Sequence, residues 1–211
     1  MTPRKQVEAA LRGDRGDRVP FTVYECMIPQ CAVERHLRNR GLCIVNRWVP
    51  AVRIHRPHVN TSQHTFVENG KQLVRTVFET PAGTLTPLDE PAGFTSWHHE
   101  KMFKSRDDYK ALLSFIEDEQ YETCYDEFAK AQDDLGEDVI LRCGFGLEPL
   151  QMLISSNMMS MQEFCWQWMD HRDDILMLYE AIVEKRRQLY PLIAASPALH
   201  ANYGGNVVPE I

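Results

Sequence analysis

No run in the sequence approaches the roughly 20 consecutive apolar residues that a helix needs to span a bilayer. The opening MTPRKQVEAALRG has no apolar stretch of the kind that marks a secretory leader. The six cysteines, at 26, 31, 43, 124, 143 and 165, form no Cys-x-x-Cys and show none of the spacing of a secreted disulfide framework. Several lie in apolar runs, where cysteine acts as a small hydrophobe. These absences point to a reduced, cytoplasmic protein. Positive charge is also short. Lys and Arg total 23 against 30 Asp and Glu, a net charge of −7, which argues against nucleic acid as a partner, because phosphate binding needs a basic face.

What is present suits a soluble globular protein of one domain, or one and a half. The 211 residues, 44% hydrophobic and 25% charged, supply ample material for a core. Thr2 as cap, Pro3 in the first turn and the stripe Val7, Ala10, Leu11 predict a first helix that Gly13 ends. Strands are expected at 19–24 and 42–46, with a helix at 31–40 between them. HTFVENGKQLVRTVFETPAGTLTPL alternates about Asn69-Gly70 and predicts an inserted, three-stranded antiparallel meander over about 62–88. Beyond residue 105 the pattern is mostly helical. Ser105 with Asp108 and Ser160 with Glu163 read as capping boxes. VILRCGFG reads as one doubly apolar strand with glycines at its exit. A long helix at about 172–195 carries Pro191 near its end, and ALHANY forms a last strand.

Strands alternating with helices predict an α/β fold with a parallel sheet and right-handed crossovers. The long connections and glycine-marked strand exits suit a (β/α)8 barrel, in which function gathers at the C-terminal ends of the strands. About four strands are recognisable where a barrel has eight, and such barrels take ~250 residues. The last residues, LHANYGGNVVPEI, reach a turn and then the helix-start signal Pro209-Glu210. The chain therefore reads as the first half to two-thirds of a barrel, a single partial domain over 1–211. A fragmentary gene product, a shortened chain, and one piece completed by another chain remain open alternatives.

Several stretches, taken together, carry a family likeness. MTPRKQVEAALRGDRGDRVPF resembles the opening of the uroporphyrinogen decarboxylase superfamily, where an amphipathic helix leads to Asp-Arg-Val-Pro-Phe and the first barrel strand. LVRTVFETPAGTLT resembles the Pro-x-Gly hairpin of its methyltransferase-like members, and FKSRDDYKAL their Lys-Ser-x-x-Asp-Tyr helix start. VILRCGFGLEPLQMLI falls where the family has a strand, a glycine-rich exit and a short helix. The resemblance implies a TIM-barrel lyase or methyltransferase lineage whose small-molecule ligand is a tetrapyrrole or corrinoid. Decarboxylases of the family use no cofactor, holding carboxylates with arginines and the inner N–H groups with an aspartate. The other branch uses zinc to make a thiol into a thiolate.

The sequence departs from both branches. Where the decarboxylases carry Arg-Gln-Ala-Gly-Arg, it reads Glu25-Cys26-Met27-Ile28-Pro29-Gln30. Val45-Asn46-Arg47 stands in place of Phe-Ser-Asp, so the pyrrole-binding aspartate is missing. No His-x-Cys occurs, so no metal and no cofactor are expected within this chain, and zinc would belong only to a completed barrel. The meander and the missing arginine run favour the methyltransferase-like side. Catalysis by this chain alone is doubtful. The alternative is a non-catalytic barrel fragment that binds a partner chain or self-associates as a homo-oligomer, because an unclosed sheet leaves an unpaired edge.

Strand ends supply the site candidates. Glu25, after strand one, could serve as general acid, base or hydrogen-bond acceptor; otherwise it is a solvated loop glutamate. Met27 follows it as a pocket-lining candidate. Asn46 and Arg47 close strand two, where a guanidinium suits a carboxylate or phosphate; otherwise Arg47 makes an ordinary salt bridge. Most of the cluster Arg35, Arg38, Arg40, Arg47, Arg53 and Arg56 reads as a solvated face. In TSWHHE, Trp97 and His98 are pocket candidates, but His98 and His99 on an extended segment point opposite ways and would not chelate one metal together. Phe145 could stack on a flat ligand beside Gly146 and Glu148, although Gly-x-Gly alone is a weak nucleotide signal. Met158, Met159, Met161, Phe164, Trp166, Trp168 and Met169 read as core, or as a surface that further barrel would cover. At the last strand exit Asn202, Tyr203 and Asn206 are candidates, with Tyr203 as a hydrogen-bond donor to a ligand.

Overall fold

A computed structural model of the chain describes residues 1–203 except Phe94 and Ser156. Asn206 and the Pro209-Glu210 helix signal therefore lie outside the described residues. The fold is mixed α/β with several open sheets, and the chain divides into two compact units. The first comprises Met1–Arg53, Glu122–Gly146 and Pro191–Tyr203; the second takes Ile54–Tyr121 and Leu147–Tyr190 among the described residues. No helix among these residues is long and apolar enough to cross a membrane.

The first unit is built on parallel strands, as the strand–helix alternation predicts. β1 (Phe21–Tyr24), β2 (Leu42–Asn46) and β10 (Val139–Leu141) form a sheet in the order β1-β2-β10, with Tyr24 opposite Val45 and Leu141 opposite Asn46. VILRCGFG is not one strand. Its chain breaks at Arg142, and β11 (Cys143–Gly146) pairs instead with β12 (Ala201–Tyr203), also parallel. The reason is a change of partner: the Arg142 N–H donates to the Asn46 carbonyl at 2.9 Å, whereas the next N–H, of Cys143, donates to His200 at 3.3 Å.

Side-chain alternation along these strands creates two faces. Val7 of α1 (Pro3–Arg12) covers Cys43 and Ile140 on one; Leu37 of α2 (Ala32–Asn39) and Leu135 pack against Leu42, Ile44 and Val139 on the other. Helix α1 begins and ends as its sequence dictates: the Thr2 hydroxyl accepts from the Lys5 N–H at 3.3 Å, and Gly13 takes φ 76°, where a side chain would be strained. Arg4 places its guanidinium on the Gln132, Gly136 and Val139 carbonyls, so a cation meets the carbonyl-rich end of α4 (Tyr125–Asp134). Cys43, Cys124 and Cys143 are buried and free, whereas Cys26, Cys31 and Cys165 are exposed. Burial pushes the Cys43 thiol up to about 12.

Arg38 fixes α2 to the entry of β10. It donates two hydrogen bonds of 2.7 Å to the Asp138 carboxylate and one of 3.0 Å to Glu34. The Arg38 guanidinium holds the Asp138 carboxyl below its ordinary range, against the opposing effect of burial. A depressed native pKa stabilises the fold above the unfolded value, ~3.9, and that contribution is lost as pH falls through the native value. Asp138→Asn is expected to cost about 1.5–3 kcal/mol near neutrality, the range for a charge-assisted hydrogen bond. Urea unfolding at neutral and at strongly acidic pH checks this: the difference from the parent should shrink in acid.

The antiparallel insertion is larger than the expected three strands over 62–88. β4 (Asn60–Glu68), β5 (Lys71–Thr80), β6 (Gly83–Leu85), β7 (Leu88–Ala92) and β8 (Thr95–Glu100) make five strands in the order β4-β5-β7-β8, with β6 also on β5. The Asn69-Gly70 turn is as predicted, both residues having positive φ, 51° and 76°. Two short strands absent from the sequence-based expectation, β3 (Val52–His55) and β9 (Gln120–Thr123), pair with each other.

Helices supply the core of the second unit. They are α3 (Tyr109–Glu117), α5 (Pro149–Ser155), α6 (Met161–Asp170) and most of α7 (Arg172–Ala194), which continues through Pro191. The Ser105–Asp108 capping box forms, on a short 3-10 turn ahead of α3. At α6 only half of the box forms, because Ser160 accepts from the Glu163 N–H while the Glu163 carboxylate accepts from Gln167. Leu112, Phe115 and Ile116 of α3 meet Leu153 of α5 and the stripe Ile175, Leu178, Ile182 of α7. Met158 and Met159 join this core, and Phe164 and Trp168 stack at 6.0 Å against it, but Trp166 and Met169 are exposed.

Candidate functional site

The parity of the parallel strands brings one set of side chains to one face. Thr22 and Tyr24 of β1, Cys43 and Val45 of β2, and Ile140 of β10 share the α1 face, and Arg47 and Arg142 continue it just past the strand ends. There a cleft of about 540 Å³ opens in the first unit. Val7, Leu11, Val23, Val45 and Met27 give it an apolar lining; Tyr24, Arg142, His200 and Asn202 supply its polar groups. A mostly apolar cleft with a few convergent polar groups at the C-terminal ends of parallel strands is a common form of ligand site.

Glu25 and Arg47 sit at the ends of adjacent strands and find each other. Arg47 Nε donates to Glu25 Oε1 at 3.0 Å, while Arg47 Nη2 lies 2.8 Å from the Cys26 sulfur. Burial works against the Arg47 charge, but Glu25 and Cys26 more than offset it, leaving the guanidinium more firmly protonated than usual. Glu25 Oε2 is buried without a hydrogen-bond partner among the described residues. The Arg47 guanidinium lies 4.4 Å above the Tyr24 ring, and that of Arg142 lies 5.3 Å from the same ring. Arg142 Nη1 also donates to the Tyr24 hydroxyl at 3.0 Å.

Arg142 and His200 complete the polar lining, and neither was among the sequence candidates. Arg142 has no carboxylate partner among the described residues, and its Nε is buried without a hydrogen-bond partner. His200 Nδ1 is likewise buried without one. Burial, reinforced by the nearby Arg142 charge, lowers the His200 pKa from its ordinary value, so the imidazole is neutral near pH 7.

The remaining sequence candidates fall in different places. Asn46 turns its side chain to its own chain, Oδ1 accepting from the Trp48 N–H at 3.0 Å. Tyr203 meets Phe145 edge-on at 6.4 Å, on the paired strands β12 and β11, and Gly146 takes φ 77° at the β11 exit. Met27 and Asn202 line the cleft. Glu148 belongs to the second unit, where its carboxylate accepts from the Leu150 and Gln151 N–H groups at 3.2 and 2.6 Å and so caps α5. Trp97 and His98 are also in the second unit, on β8. His98 pairs with Asp89 at 2.6 Å and its neighbour His99 with Glu90 at 2.8 Å, so each imidazole has its own carboxylate. Among the described residues no group of three or more His, Cys, Asp or Glu side chains could hold a metal ion.

No family model, curated protein or solved structure matches this chain. The functional reading therefore rests on the geometry of the cleft.

Proposed function

We propose that the first unit binds, and in a (β/α)8-type barrel would act on, a small molecule of the tetrapyrrole or corrinoid kind, in the manner of the uroporphyrinogen decarboxylase superfamily. The observation that carries this reading is an apolar cleft at the C-terminal ends of parallel strands, lined by Tyr24 and Arg142, with the Glu25–Arg47 pair set against the same Tyr24 ring. Arg142 is the one charged side chain in the cleft lining among the described residues, so the cleft is net positive, which suits a ligand with acidic substituents. The flat Tyr24 ring and the apolar walls suit its hydrocarbon frame. Glu25, with one oxygen on Arg47 and the other without a partner among the described residues, is placed to accept or return a proton.

Titration of the purified chain with a carboxylated porphyrin and with a corrinoid, followed by visible absorbance, tests this. A saturable spectral change is expected, and Glu25→Gln or Arg47→Met should weaken it by about tenfold, ~1.4 kcal/mol. A second reading, self-association, is favoured by the exposed outer strand β1, where Phe21 lies in solvent beside Val19. Absence of any spectral change, together with a mass in light scattering that rises with concentration, would select that reading instead.

A further inference from the structure

We propose that Arg142, Tyr24 and His200 form an anion subsite that takes the carboxylate of a ligand with an apolar body and takes up a proton as it does so. This rests on the cleft being a small-molecule site, as argued above, and adds the anchoring chemistry and its pH dependence.

The arginines make the first argument. Arg38, Arg47, Arg56 and Arg75 each lie on a carboxylate at 2.6 to 3.0 Å, and Arg4 is saturated by backbone carbonyls. Among the described residues Arg142 has only the Tyr24 hydroxyl as hydrogen-bond partner, and its Nε is buried without one. A guanidinium that faces a cleft with part of its donor fork unused is suited to a planar oxyanion. The Tyr24 hydroxyl accepts from Arg142, so its own proton remains to donate to that anion.

His200 makes the second. Its Nδ1 is buried in the same cleft without a hydrogen-bond partner among the described residues. Its charged form is disfavoured by burial first and by Arg142 second. A carboxylate bound to Arg142 cancels the second effect and offers the imidazolium a counter-charge, so the His200 pKa rises on binding. Linkage then requires proton uptake, and requires affinity to increase as pH falls between the bound and free values of that pKa. The other elements around the cleft bring few ionisable groups to His200. α1 presents Val7 and Leu11; β1 presents Tyr24; the neighbouring strand carries Cys143, whose thiol burial raises. The Glu25–Arg47 ion pair lies at the ends of β1 and β2. Val7, Leu11, Val23 and Val45 decide the rest of the ligand, because they leave an apolar wall beside the charge.

The test is calorimetric titration of the full chain with 4-phenylbutyrate and with 4-phenylbutanol, at about pH 5.5 and about pH 7.5, in two buffers of different ionisation enthalpy. Phenylbutyrate is expected to bind at least about tenfold more tightly at the lower pH, with uptake of a substantial fraction of one proton. The alcohol should bind at least about tenfold more weakly than the acid at the lower pH. His200→Gln should keep binding at the higher pH and lose both the proton uptake and the pH dependence. Arg142→Gln should abolish carboxylate binding and Arg142→Lys should retain part of it, with thermal melts confirming that each variant folds. Equal binding of acid and alcohol, pH-independent binding of the acid, or unchanged proton uptake in His200→Gln would overturn the subsite. Failure of phenylbutyrate to bind would overturn it too. If the porphyrin or corrinoid titration still saturates, only the subsite falls; if that is also silent, the cleft reading falls with it.

Discussion

The Glu119→Leu variant is expected to lose about 3–5 kcal/mol of stability, the cost of leaving buried charges without their counter-charge. Glu119 is 5% exposed and serves three partners in the second unit. Its Oε2 accepts from Arg56 at 2.6 Å, and its Oε1 accepts from the Tyr121 hydroxyl at 2.6 Å and lies 3.6 Å from Arg186 Nη1. Arg186 is itself almost fully buried, and its Nε has no partner among the described residues. Arg56 also donates to the Phe115 carbonyl and stacks over that ring at 4.0 Å, so it cannot swing to solvent without losing packing. Burial lowers the Arg56 pKa and Glu119 opposes that; burial and the hydrogen bond to Glu119 together push the Tyr121 phenol well up. Urea unfolding measures the loss. The double variant Glu119→Leu/Arg186→Met should recover part of it, because removing both charges also removes their desolvation cost. A single variant within about 0.5 kcal/mol of the parent, the range of an ordinary surface change, would show that the network does not hold this unit together.

Leu178→Ala is expected to cost about 2–5 kcal/mol, toward the upper end. Leu178 has no exposed surface, and the core around it draws on α3, α5, β6 and both flanking turns of α7. Atoms supplied by so many elements cannot all close over a lost side chain, so most of the cavity remains. Thermal unfolding should register the change as a fall of about 2–4 °C per kcal/mol for a chain of this size. Met177, the preceding residue, is 41% exposed, and Met177→Ala should stay within about 0.5 kcal/mol of the parent. Equal losses at both positions would mean that α7 is held by something other than its Ile175–Leu178–Ile182 stripe.

Signals that are local and chemically strict carried most of what the sequence foretold. Asn69-Gly70 marks its hairpin because few other pairs adopt two positive φ angles, and Thr2 with Gly13 brackets α1 because orphaned N–H and C=O groups need those partners. The apolar run Leu42–Val45 reads as a parallel strand because both of its faces are apolar. Missing were β3 and β9, each only four residues long; β3 lies between Pro50 and Pro57, and β9 is polar, so neither carries a periodic signal. The insertion extends to Glu100 because β7 tolerates Pro91, a residue that breaks the usual strand pattern.

The site shows the same divide. Glu25, Met27, Arg47 and Asn202 could be found from their position at strand ends. Arg142 could not, because VILRCGFG looks like one uninterrupted strand, although an arginine inside an apolar run was the available clue. His200 was passed over inside ALHANY, since only the three-dimensional pairing of β11 with β12 shows which cleft it joins. Glu148, Trp97 and His98 stand on the second unit, a division no local pattern announces.

The interleaving of the two units along the chain sets an order of events at the ribosome. The antiparallel sheet comes from one continuous stretch between Asn60 and Glu100, so it can fold soon after it emerges. The parallel sheet cannot: β2 waits for β10, and β11 waits for β12. At a synthesis rate of about 5–20 residues per second, Tyr203 emerges on the order of ten to forty seconds after Tyr24. Until β10 emerges, β1 and β2 have only each other, and Tyr24, Glu25 and Arg47 stand at the end of a two-stranded ribbon that needs further strands for stability. The cleft thus assembles only after β12 has emerged, and until then chaperones that shield exposed strands would be needed there rather than at the hairpins.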